Sequence, residues 1–280
     1  MKPLLTIEPH GYRRLAKIPP RDELEAFYRV SYPALLASGE RVINKPDLWL
    51  QSTVWADILS SLKAVGIGKD AAIFDVGTGD GALPEYLRSK GFDAQGLDIA
   101  APNACSFQSL VAAVRQIEAE NPGSGAASCL DAILMAHYLA HDPDPVLAIR
   151  DAHSILKKGG MIYIRTGNDF NPLQMQAAEK HGEYWVNSPD IINYFSSKSL
   201  CALLQDNGFT IFDTWNDFPI EALLLDGLDY VNDKEAGALA HRVRVDHEMN
   251  MSPQLRRTIN RAYAKMGIGR CCHVVALKNL

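Results

Sequence analysis

The sequence predicts an α/β fold, doubly wound around a mostly parallel sheet, and three observations predict it. A short apolar run, Ala71-Ala-Ile-Phe-Asp-Val, leads into a turn that carries three glycines, Gly77, Gly79 and Gly81. An amphipathic stretch of helical length follows, and then a second short strand that ends on a carboxylate, Gly91-Phe-Asp-Ala-Gln-Gly-Leu-Asp98. Apolar runs go on alternating with helix-length segments, the pattern of parallel strands covered on both faces.

Taken in order, residues 1–69 precede the first core strand and read as mainly helical after Pro19-Pro20. There Leu24, Phe27, Tyr28 and Tyr32 fall at helical spacing and give an apolar and aromatic stripe. The core, 70–216, has strands expected near 71–76, 93–97, 131–136 and 160–166, with helices near 80–90, 105–120 and 144–157. Between Asp98 and Leu130 no strand is evident, because Ser106 to Glu120 reads as helix and Asn121-Pro-Gly-Ser-Gly as loop. Ser197 opens a capped helix with Leu200, Leu203 and Leu204 inward and Gly208 as its stop signal. A sixth strand begins at Phe209. Residues 217–269 are helical in character and too many for a simple connection, which suggests a cap over a substrate pocket. The last strand lies in 270–280, where Cys271 and Cys272 adjoin the apolar run after His273.

The glycine turn is where chemistry is expected. Glycines remove Cβ atoms where the chain bends sharply and let a ligand approach the backbone at a helix start. Gly77-Thr-Gly79-Asp-Gly81-Ala also satisfies the dinucleotide pattern. A pyrophosphate there would face Asp75 and Asp80, and like charges at short range are unfavourable, so a hydride-transferring dinucleotide enzyme is disfavoured. A ligand with a cationic ammonium and no phosphate, such as S-adenosylmethionine, gains from the same charges. Asp98, about twenty residues after the turn, can accept both ribose hydroxyls.

At these residues the sequence resembles the class I S-adenosylmethionine-dependent methyltransferases of small-molecule type. Phe74-Asp-Val-Gly-Thr-Gly-Asp-Gly is similar to the family's first motif and Gly96-Leu-Asp98 to its ribose-binding position. Leu130 to Pro145 and Leu156-Lys-Lys-Gly-Gly-Met-Ile resemble the family's fourth strand, the helix after it and the turn into the fifth strand, with Lys158 replacing a proline. The resemblance implies a seven-stranded Rossmann-like sheet, S-adenosylmethionine as cofactor, and an amino-terminal helical lid (1–69) that brings Tyr28 and Tyr32 over it. It implies cofactor contacts from Asp75, Gly77, Thr78, Gly79, Gly81, Asp98, Ile99, Met135 and Ala136. Ile191 stands where the family often has histidine in a "P-x-H" segment.

Methyl transfer from a sulfonium needs alignment more than activation, since the donor is already reactive. A hydroxyl acceptor needs a base as well. Two candidates for catalytic residues follow. His137 lies just past the fourth strand, where it either handles a proton or only packs at a strand end. Asp169, within Asn168-Asp-Phe-Asn-Pro, either orients and deprotonates an acceptor or caps the helix that begins near Pro172. His141 reads as structural, and His241 and His247 as a surface helix; no metal is expected.

Composition is ordinary for a globular enzyme: 280 residues, 47% hydrophobic and 22% charged, with a net charge of −5 and no lysine and arginine run. Nucleic acid is therefore a poor partner. Arg242, Arg244, Arg256, Arg257 and Arg261 read as a solvated helical face. No apolar stretch suits a membrane span or a secretory signal. Five cysteines without a C-x-x-C pair fit a reducing, cytoplasmic setting. The expected acceptor is a small molecule, a sugar or specialised metabolite, methylated on O, N or C; a homo-oligomer is left open. Two other readings stand beside it: a non-catalytic S-adenosylmethionine-binding subunit, and an enzyme that uses the sulfonium for other chemistry.

Overall fold

Alternating apolar runs become a six-stranded sheet in the structure, a computed structural model that describes residues 3–38, 47–99, 106–122, 124–125, 128–186 and 190–279. The chain opens with β1 (Leu5–Ile7) and β2 (Arg13–Leu15), and continues in two helices, α1 (21–37) and α2 (48–64), each with a π-helical turn inside it. Strand β3 (Ala72–Val76), α3 (Ala82–Ser89), β4 (Asp93–Leu97), α4 (Phe107–Glu120) and β5 (Leu130–Ala136) follow. Next come α5 (Pro145–Ile155), β6 (Leu156–Gly167), α6 (Pro172–His181), β7 (Asn193–Tyr194), α7 (Ser197–Asp206) and β8 (Phe209–Asn216). The chain ends with α8 (Glu221–Leu225), α9 (Lys234–Met249), α10 (Pro253–Met266) and β9 (Cys271–Lys278).

The main sheet runs β4-β3-β5-β6-β9-β8, with β9 antiparallel to both of its neighbours and the other pairings parallel. The expected seventh strand is corrected to six among the described residues. One helix, α4, capped by Ser106, occupies the connection from β4 to β5, so β4 lies at the end of the strand order. The expected helix start at residue 105, together with Cys105 and Pro189, lies outside the described residues. The first residues add an antiparallel sheet, β1-β2-β7, that the sequence pattern did not indicate.

Strand alternation sorts the sheet into two faces. One carries Ile133, Ile162, Ile164 and Val274 and is closed by α4, α5 and α7; Leu200, Leu203 and Leu204 are fully buried there. Burial of each leucine contributes about 1.5–3 kcal/mol. The other face carries Ile73, Leu134, Tyr163, Trp215 and Val275 against Ile58 and Leu62 of α2 and Leu83 and Leu87 of α3.

Of the arginines expected on a solvated face, Arg242 and Arg261 are exposed, but Arg244 and Arg256 are buried and Arg257 half-buried, which corrects that reading for these three. Arg256 pairs with Asp57 at 3.1 Å, and Arg257 and Arg261 each reach Asp213 at 2.8 Å, so α10 is pinned along β8. Arg244 stacks on Trp49, whose indole nitrogen donates to Glu248 at 2.5 Å, which ties α9 to α2. No helix among the described residues is long and apolar enough to cross a membrane.

Candidate active site

The second face changes character towards the carboxyl rim. Two residues beyond apolar Ile73 and Tyr163 stand Asp75 and Arg165, and the antiparallel partner of Arg165 is His273. This polar row, the glycine turn and the segments just past β5 and β6 all meet at the end of the sheet where α/β folds bind ligands.

The turn takes the conformation its glycines allow. Gly77, Gly79 and Gly81 have φ of +76°, +61° and +81°. The amides of Gly77 and Thr78 donate to Leu97 O at 2.8 and 3.1 Å, which folds the turn over the end of β4. A Cβ on Gly77 would press on the ring of Tyr138 at 3.2 Å. The Gly79 amide donates to Asp98 Oδ2 at 2.8 Å, so the strand-end carboxylate and the turn form one unit. Asp80 is exposed and accepts from the Ala82 amide at 3.1 Å, just before the Gly81 N-cap of α3.

Asp75 is 3% exposed, and its Oδ1 has no hydrogen-bond partner. Burial pushes its carboxyl up to about 7; the neighbouring Thr78 hydroxyl opposes the rise and the charge of Asp98 adds to it. An ordered carboxylate held in this way favours a cationic ligand. Ala136 stands on the Asp75 face, whereas Met135 is buried in the core of the opposite face. Ile99 accepts from Arg29 Nε through its carbonyl at 3.3 Å.

Helix α1 crosses this end of the sheet. Besides the Arg29 bond to Ile99, the Tyr28 hydroxyl meets His141 Nδ1 at 2.9 Å and donates to Asp190 O at 3.4 Å. Tyr32 packs edge-on against Tyr28, with ring centroids 5.6 Å apart. The helix therefore ties the segment after β4 to the segments after β5 and before β7.

His137 is half-buried, has φ of +65° and donates its amide to Arg165 O at 2.6 Å. Its Nε2 accepts from Arg165 Nη1. Burial first, and then the Arg165 charge, hold its pKa well below the ordinary range, so the ring is neutral. Arg165 also reaches Asp217 Oδ2 at 3.4 Å, and Asp217 accepts the Cys271 amide at 2.6 Å. Burial would raise Asp217, but His273, 3.9 Å away, and the Arg165 charge win and keep it ionised.

Asp169 folds back over Gly167: a Cβ there would lie 2.7 Å from its Oδ2. Burial, then the neighbouring Glu221, push its carboxyl up to about 8, with Gln174 opposing. The cap of α6 is Asn171, whose Oδ1 accepts from the Leu173 and Gln174 amides at 3.0 and 3.1 Å, so Asp169 is not the cap. Sequence reasoning missed Asp217, Glu221 and Glu248 and took Arg244 for a solvated residue, although all four are buried. Among the described residues no group of three or more His, Cys, Asp or Glu side chains could hold a metal ion.

A family model described as a methyltransferase domain matches residues 49–214. The chain belongs to the methyltransferase domain family. Within it the chain is 30% identical to a ubiquinone biosynthesis O-methyltransferase of Pseudomonas paraeruginosa, over 50% of this chain and 65% of that one. It is 33% identical to the protein of the same name from Methylococcus capsulatus, over 34% of this chain and 42% of that one. The chain thus spans less than two thirds of the length of these relatives. The crystal structure of Burkholderia thailandensis 1,6-didemethyltoxoflavin-N1-methyltransferase shares the fold at a TM-score of 0.51 and 15% identity, with 100% of both chains covered. The family match begins inside α2 and ends inside β8, so α1, α9 and α10 lie outside it.

Proposed function

We propose that this chain is an S-adenosylmethionine-dependent methyltransferase that moves a methyl group by in-line displacement onto a small-molecule acceptor. The observation that carries the reading is the pair of carboxylates around the glycine turn: Asp75, buried with an unpartnered oxygen, and Asp98, bonded to the turn itself. Membership of the methyltransferase domain family and the names of the curated relatives support it.

The residues fit the cofactor. Asp75 offers a buried anion to the methionyl ammonium, and Asp98 offers acceptor oxygens to the ribose hydroxyls. When bound, S-adenosylmethionine supplies an electrophilic methyl on a sulfonium. The chain's own residues do the rest by binding, orientation and proton handling. Helix α1, with Tyr28 and Tyr32, acts as a lid that keeps water from the cofactor end of the rim. His137, neutral and fixed by Arg165, orients the acceptor with its remaining ring nitrogen. Asp169, with a carboxyl that titrates near neutral pH, takes the acceptor's proton. Residues 217–269 close the acceptor side through α8 and α9, and the free, buried Cys271 and Cys272 suit a reducing, cytoplasmic setting.

The test is transfer of a radiolabelled methyl group from S-adenosylmethionine to a cell extract split by size. Label in the small-molecule fraction is the expected outcome. Label confined to protein or nucleic acid would overturn the acceptor class, and cofactor binding without any transfer would favour the non-catalytic reading.

A further inference from the structure

Beside the rim, two side chains present hydrogen-bond acceptors that the protein does not fill. Glu221, at the start of α8, is 2% exposed, and its Oε2 has no partner. Gln174, on α6, is 4% exposed; its amide nitrogen donates to Glu221 Oε1 at 3.4 Å, and its own Oε1 is likewise unpartnered. Asp169 adds a second carboxyl, close enough to Glu221 for the Glu221 charge to raise its titration.

The surroundings do not correct this imbalance. No lysine, arginine or histidine among the described residues forms an ion pair with Asp169 or Glu221. Arg270 is exposed and acts on Glu221 only through space, while Asp217 pushes the other way. The nearby hydroxyls of Tyr184 and Tyr230 bond to each other at 3.1 Å. Buried acceptors without donors are costly, and two carboxyls in one pocket are costlier still, unless a ligand brings donors and positive charge.

We propose that Asp169, Gln174 and Glu221 form the subsite that seats a protonated amine of the acceptor. The proposal deepens the methyltransferase reading and rests on it. A primary or secondary ammonium carries two or three N–H donors and one positive charge, which matches the two unpartnered oxygens and the paired carboxyls. A neutral sugar hydroxyl supplies donors without the charge, and an anionic acceptor supplies neither. Burial, the first cause of the raised titration of both carboxyls, is a cost that a bound ammonium would offset.

The test uses the full chain and a small-molecule extract separated in advance on a cation exchanger at neutral pH. Each fraction is incubated with deuteromethyl S-adenosylmethionine, and S-adenosylhomocysteine affinity is measured separately. Label in the retained, cationic fraction is expected. Glu221→Gln and Gln174→Leu should then each raise KM about tenfold with kcat nearly unchanged. Label only in the neutral or anionic fractions would overturn the amine subsite and leave the methyltransferase reading intact. Cofactor binding with no label in any fraction would also overturn it, and failure of S-adenosylhomocysteine to bind would remove the underlying reading instead. If one variant does not fold, the charge class of the labelled fraction still decides.

Discussion

Asp98 accepts an amide from the turn it faces, and that bond gives its substitution a definite meaning. Asp98→Ala should weaken S-adenosylhomocysteine binding by about 1.5–3 kcal/mol, the usual loss for a charged hydrogen bond. Calorimetry checks this, and an unchanged affinity would take Asp98 out of the site. Asp75 adds a pH dependence. In the free protein its carboxyl keeps a proton up to about 7, whereas an unfolded chain would release it near the ordinary 3.8. Protonated Asp75 is therefore favoured in the native state, and its contribution to stability is lost as pH rises through about 7. Binding an ammonium needs the ionised form, so the sign reverses for the ligand. S-adenosylhomocysteine should bind up to about tenfold more tightly at pH 8 than at pH 6, with proton release at the lower pH. His137 and His273 are both shifted below their ordinary values, chiefly by burial.

At the scale of elements, α1 is joined to the segment after β4 through Arg29 and to the segments after β5 and before β7 through Tyr28. Tyr28→Phe removes the hydroxyl that meets His141 and Asp190. Loss of about 0.5–1.5 kcal/mol of lid contact should speed S-adenosylhomocysteine dissociation by about twofold to tenfold. Stopped-flow displacement measures that rate, and hydrogen exchange should show 21–37 opening more readily. An unchanged rate would mean that the helix covers something other than the cofactor. The elements that were legible in the sequence are those with local signals. Asp75 to Gly81 announces a strand, a turn and a helix within a dozen residues, and Ser196 with Ser199 forms the capping box that starts α7. The strand pairing of residues 5–7 and 13–15 was not legible, because its partner is Asn193–Tyr194, far along the chain. The six-strand count was half visible, as the missing strand before Leu130 already showed in the pattern.

For the whole molecule, the charged residues of 217–269 show where sequence reading stops. Helical spacing on α9 and α10 looks the same whether arginines face water or carboxylates, and only the packed fold brings Arg256 to Asp57 and Arg257 to Asp213. The same holds for Glu221 and Gln174, which meet only because α6 and α8 lie side by side at the rim. The molecule is thus a methyltransferase-family sheet whose proposed cofactor end is written in a local motif and whose proposed acceptor end is assembled from distant segments. Its central claim is that the carboxylate-flanked glycine turn holds S-adenosylmethionine. Isothermal titration of the chain, cleared of any copurified nucleoside, with S-adenosylhomocysteine and with NAD as control tests that claim most directly. The account predicts micromolar binding of the first, about −8 kcal/mol, and none of the second. Tight binding of NAD, or no binding of either, would contradict it.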